Sequence, residues 1–255
     1  MAFTYGTIWA DYGDEKVTST SEDLGLPVGT RMVLPDGRVY RYGFTNGAAG
    51  AGTGVQSSAA LGNHDADLVV TAAAAAGSKS VSCTLGGTAA AEDLYAGGYL
   101  FVNDGAGEGH VYRIRQHNAI GSGGTGTINL VDGDTIAEAL TTSSLVGLVT
   151  NPYMHVIPTP AGAQTARCVG YASTELADNA YGWVQTWGEA AVLCNGAASE
   201  VPIIFRPIRV SDSNVAGSVE EYSSQTDAEE QVVGWATNVA AVDTDYLFVF
   251  LTISP

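Results

Sequence analysis

The chain has 255 residues, 45% of them hydrophobic, which excludes a globally disordered protein and provides a core for one large domain or two small ones. Acidic residues outnumber basic ones by 27 to 10, for a net charge of −17. Such a surface repels phosphate backbones, so nucleic acid is excluded as the expected partner.

In chain order, Met1 to Thr7 lack the basic start and apolar core of a secretion signal, which predicts synthesis in a cytoplasm. No stretch approaches the roughly 20 apolar residues of a membrane-spanning helix, so no membrane partner is expected. Residues 1–66 read as an extended N-terminal arm. Asp11 to Asp23 is polar and acidic, and Gly47 to Gly54 reads as a flexible Gly/Ala-rich linker. Between them, Pro35-Asp36-Gly37 is a strong turn signal flanked by Val33-Leu34 and Val39-Tyr40-Arg41-Tyr42, which predicts a small hairpin. Arg31, Arg38 and Arg41 cluster there with Tyr40. On so acidic a chain these scarce cations pair with internal carboxylates or mark docking contacts.

Residues 67–255 read as a β-barrel or β-sandwich body, with 67–150 and 151–255 as candidate subdomains. Strand signals follow at Leu68–Thr71, Ser80–Leu85, Tyr99–Asn103, His110–Arg115 and Thr127–Val131. Two short helices are expected, near Ala91–Tyr95 and Ile136–Thr141, the second with Asp134 as its N-cap. Ala72 to Ala76 favour a helix locally but are too few to form one alone. Asp104-Gly105 and Asp132-Gly133 are hairpin-turn dipeptides first; neither reaches the spacing of a calcium loop.

In residues 151–255 one plan occurs twice. Val169-Gly170-Tyr171-Ala172 leads past Asp178 to Tyr181–Thr186. Val233-Gly234-Trp235-Ala236 leads past Asp243 and Asp245 to Tyr246–Leu251. Each is a hairpin signature, and the fold expected is all-β with few short helices, below about 12%. The last strand is apolar on both faces, with Tyr246, Phe248 and Phe250 on one and Leu247, Val249 and Leu251 on the other, so a core or a subunit interface is expected to cover it. Trp183, Trp187 and Trp235 are expected as core or interface anchors, with stacking on sugar as the alternative.

Reaction chemistry is not evident. His64, His110, His117 and His155 lack ligand spacing and read as surface or turn residues. Cys83, Cys168 and Cys194 lack a CxxC and read as buried, reduced thiols. Gly77-Ser78-Lys79-Ser80 lacks the first glycine of a phosphate loop, and no nucleophile elbow or zinc-protease motif occurs. Neither an enzyme nor a cofactor or metal is expected.

Tyr181-Gly182-Trp183-Val184-Gln185-Thr186-Trp187-Gly188-Glu189-Ala190, with Val233-Gly234-Trp235-Ala236 through Ile253, resembles the capsid decoration (cement) proteins of tailed bacteriophages. Leu94 to Asn103 and Gly107 to His110 are similar to phage virion proteins. The resemblance extends diffusely over 68–255. It implies a homo-oligomer, commonly a trimer, on the outer surface of the capsid, made in the host cytoplasm. There it holds neighbouring subunits of the major capsid protein together against the pressure of the packaged DNA. The candidate capsid or oligomer contacts are Arg31, Arg38, Tyr40, Arg41, Trp183, Trp187, Trp235 and Phe248. The alternative is a phage fibre or adhesin component that binds host-surface glycans, and a polysaccharide-degrading enzyme stands third.

Overall fold

The structure, a computed structural model, describes residues 6–20, 25–195, 202–212, 215–222, 231–239 and 244–255. Strand accounts for 43% of it and helix for 1%, so the all-β expectation holds. The chain divides into two compact units: Ala59–Asn151 forms one, and the segments before Ser58 and after Pro152 together form the other.

The chain begins with β1 (Thr7–Trp9), a 3-10 turn at Asp14–Lys16, β2 (Arg31–Val33), β3 (Val39–Phe44) and β4 (Gly54–Gln56). The smaller unit follows, with β5 (Leu68–Ala72), β6 (Ser80–Thr84), β7 (Tyr99–Asp104), β8 (Val111–Gln116), β9 (Thr125–Leu130) and β10 (Leu145–Val149). The larger unit resumes with β11 (Ile157–Pro158), β12 (Cys168–Ala172), β13 (Tyr181–Leu193), β14 (Pro207–Val210), β15 (Val219–Glu221), β16 (Val232–Ala236) and β17 (Tyr246–Thr252).

The smaller unit is a closed antiparallel barrel in the order β10-β5-β6-β9-β8-β7. Period-two alternation builds it: Val81 and Cys83, Leu100 and Val102, Tyr112 and Ile114, and Ile128 and Leu130 all point inward. So narrow a barrel is filled by its own side chains. Neither expected helix forms. Ala74 and Leu140 exchange backbone hydrogen bonds, as do Ala90 and Ile120, because segments this short gain more from cross-chain pairing than from a helical turn. Asp134 caps no helix; its carboxylate accepts the Arg113 N–H at 2.7 Å.

Two histidines expected at the surface are in this core. His64 is fully buried, with Nδ1 2.5 Å from the Tyr95 hydroxyl and Nε2 2.8 Å from the Thr88 carbonyl. His117 Nε2 accepts the Tyr95 N–H at 3.1 Å, and its Nδ1 lies 2.8 Å from the Asn118 carbonyl. Each ring thus satisfies both nitrogens inside the barrel, which removes the cost that makes buried histidine rare.

All three cysteines are buried free thiols. Burial pushes Cys83 up from 9.0 to about 11. A raised folded-state value gives a stabilising contribution that is complete below pH 9 and lost as pH rises through about 11. The melting temperature of the barrel should therefore fall between those values, by the equivalent of about 3 kcal/mol, and Cys83→Ala should flatten the decline. An unchanged slope in that variant would assign the alkaline loss to other groups.

In the larger unit the sheet runs β1-β2-β3-β13-β17-β16-β14-β15, with β12 and β4 joined through β13 and β11 at the end of that branch. β13 is the spine. Its first half pairs with β3 and β12, and its second half, from Trp187 to Leu193, with β17. The change of partner falls at a bulge between Gln185 and Trp187. Both copies of the repeated plan are antiparallel hairpins, β12–β13 and β16–β17.

The first 58 residues differ most from expectation. Among the described residues they are part of the larger unit and not an arm. The Pro35-Asp36-Gly37 hairpin forms, but β3 lies along β13, with Tyr42 opposite Trp183 and their rings 5.1 Å apart. Met32, Leu34, Tyr40 and Tyr42 are buried with Tyr181 and Trp183 in one cluster. Four large apolar side chains in a dozen residues provide the burial that composition averaged over 1–66 conceals. The Gly47–Gly54 stretch is likewise no linker: Ala49 bonds with Leu176 in both directions, and Gly52 and Gly54 donate to Ala172 and Gly217. Its small residues serve close backbone approach.

Candidate functional site

The period-two alternation of β17 sorts its side chains without exception. Leu247, Val249 and Leu251 are fully buried, whereas Tyr246 is 54% and Phe248 47% exposed and Phe250 is half-buried. The core therefore covers one face only, so of the two covers expected for this strand a core on both sides is ruled out and a subunit interface stays open for the Tyr246 face. β16 sets Trp235, 48% exposed, directly opposite Phe250. From β13, Trp187 meets Phe250 edge-on at 5.5 Å. Trp187, Phe250 and Trp235 thus form an aromatic belt across three strands, and Tyr246 and Phe248 continue it along β17. The one charge on β13 in this row is Glu189, opposite Phe250.

Of the expected contacts, Tyr40 and Trp183 belong to the core and present no surface. Arg38 pairs with Asp36 at 2.7 Å and donates to the Tyr40 hydroxyl at 2.8 Å. Arg41 donates to the Gly29 carbonyl and the Ser254 hydroxyl and lies over the Tyr153 ring. Arg31 stands opposite Arg41 across β2–β3 and reaches the Thr7 hydroxyl at 3.4 Å. Structural partners thus occupy these guanidiniums, and only Trp187, Trp235 and Phe248 of the eight come together on one surface. Sequence reasoning missed Tyr246 and Phe250 as surface rings, because alternation shows two faces but not which one the core takes. It also missed Trp9 and Phe205, 76% and 81% exposed.

A pocket of about 340 Å³ adjoins the Tyr246 end of the row, bounded by the 3-10 turn, β13 and the loop at Gly52. Among the described residues, no group of three or more His, Cys, Asp or Glu side chains is placed to hold a metal ion, and no helix is long and apolar enough to cross a membrane. Comparison with protein families, curated proteins and solved structures found no match to this chain.

Proposed function

We propose that the protein is a non-enzymatic structural component of a tailed-phage virion. It binds the outside of the head and stabilises contacts between major capsid protein subunits as a homo-oligomer, with a trimer the expected state. The observation that carries this reading is the aromatic row on a chain of net charge −17, in which Trp235, Tyr246 and Phe248 are exposed and Trp187 and Phe250 half-buried. Exposed contiguous aromatic surface is uncommon on a protein that works alone, and Trp and Tyr dominate protein interfaces. Rigid antiparallel sheet suits a load-bearing contact, and the acidic surface suits a position outside the shell, away from the genome.

The test is co-sedimentation of the purified chain with decoration-free heads, with its oligomeric mass measured by light scattering. Saturable binding at a lattice-matched ratio is expected. Trp235→Ala should weaken it about 30-fold or more, the loss of about 2 kcal/mol typical of a central anchor, while the melting temperature stays within about 2 °C. Absence of saturable binding overturns the reading.

A further inference from the structure

We propose that the larger unit binds a neutral pyranose sugar in the pocket behind Tyr246. Its volume of about 340 Å³ lies within the range of small-molecule sites, about 300–1,000 Å³. Two buried polar side chains line it with an acceptor oxygen to spare. Glu15 is 4% exposed, and one of its carboxylate oxygens takes the Gly13 N–H at 2.6 Å. No described residue donates to the other. Gln185 is 5% exposed and spends its amide N–H groups on the Trp187 and Glu189 carbonyls at 3.2 and 2.8 Å, which leaves its oxygen for a ligand. Neither oxygen is sealed from solvent, so both are open to hydroxyl groups of a ligand in the pocket.

The aromatic part of the lining has a different chemistry. Tyr246 is half exposed yet held in place. Its hydroxyl donates to the Ala51 carbonyl at 3.1 Å, and its ring lies across Gly52, where a Cβ would stand 2.7 Å from a ring carbon. Gly52 also sits at φ +71°, a conformation that side chains disfavour. Phe248 stands two residues along the same face. A fixed, exposed ring offers apolar area at little further entropic cost. Acceptors and aromatic rings in one pocket match a pyranose, whose hydroxyls donate and whose axial C–H face is apolar. Glu15, Glu189, Lys16 and Arg38 line the pocket, so its formal charge is balanced, and Arg38 is committed to Asp36 and the Tyr40 hydroxyl, which disfavours an anion over a neutral ligand. In this lining, Lys16 supplies a donor for a ring or hydroxyl oxygen. The pocket shares Tyr246 and Phe248 with the aromatic row but not Trp235, so Trp235→Ala separates this inference from the capsid reading.

The test is saturation-transfer NMR on the full chain with four probes: methyl β-glucoside, methyl β-galactoside, methyl α-mannoside and N-acetylglucosamine. At least one should bind saturably with a millimolar Kd, its apolar-face protons receiving the strongest transfer. Tyr246→Ala and Glu15→Gln should each weaken it about tenfold or more, and Trp235→Ala should leave it unchanged. If Glu15→Gln shifts the melting temperature, Tyr246→Ala, at an exposed position, decides alone. Glucuronic acid should bind no more tightly than the glucoside. The proposal is overturned if none of the four saturates by about 50 mM, if affinity survives Tyr246→Ala, or if the acid binds more tightly.

Discussion

Removal of residues 1–58 is expected to unfold the larger unit while the barrel of 59–151 stays folded. Such a deletion takes away β2, β3 and β4, so β13 loses its partner from Tyr181 to Trp187, and β12 loses its partner at β4. Trp183 and Tyr181 lose the rings of Tyr42 and Phe44 that pack on them. Losing the burial of Met32, Leu34, Tyr40 and Tyr42, at about 1.5–3 kcal/mol each, is comparable with the roughly 5–15 kcal/mol that holds a domain folded. The barrel keeps its whole core, which is drawn from residues 68–148 alone. Hydrogen exchange on the truncated chain reads both halves of this result: protection confined to 59–151. Protection of β17 and β13 after the deletion would show that the N-terminal segment is dispensable.

The second large effect is expected at Glu220. Its fully buried carboxylate faces Arg209, its direct partner across β14–β15, and also accepts the Ser211 hydroxyl at 3.1 Å, the Asn195 amide at 3.0 Å and the Asp212 N–H at 3.4 Å. Asp212 adds a second carboxylate 3.2 Å from the guanidinium. Glu220→Ala leaves the guanidinium buried without its main counter-charge, at a cost of about 3–5 kcal/mol. The cost arises from the orphaned charge rather than from the value of the pair. A double replacement, Arg209→Met with Glu220→Leu, should therefore recover most of the loss, and urea unfolding of both variants measures it. A double variant as unstable as the single one would mean that the network holds the β14–β15 hairpin in a way packing cannot replace.

The parts of this fold legible in the sequence are those with a local signal. The barrel strands alternate in hydrophobicity, the Pro35-Asp36-Gly37 turn announces its hairpin, and the repeated Gly-aromatic-Ala segments mark β12–β13 and β16–β17. What escaped notice depends on distant partners. Ala72 to Ala76 and Gly47 to Gly54 carry no periodicity, and their structure comes from backbone bonds to Leu140 and to Leu176 and Ala172. His64 and His117 are ordinary core residues only because Tyr95 stands between them. At the candidate site the rings were legible but their grouping was not. Spacing placed Phe248 and Trp235 on strands, and only the register across β16–β17–β13 sets Phe250 between two tryptophans.

The interleaved order of the two units sets a timetable for the nascent chain. The Thr45 hydroxyl accepts the Ala180 N–H, and the two residues are 135 positions apart. At about 5–20 residues per second, a ribosome needs about 7–27 s to deliver the second partner after the first. Throughout that interval the β2–β3 hairpin, with Tyr40, Tyr42 and Met32 uncovered, has no strand to receive it. The barrel between them closes using its own residues and can do so while synthesis continues. Its early closure shortens the effective loop that must be spanned when β13 finally emerges, because a folded insert holds its two ends at a fixed separation instead of letting them diffuse. An insert slow to close would leave an aromatic, aggregation-prone hairpin waiting longer, so the folding rate of the barrel limits the yield of the unit that surrounds it in sequence.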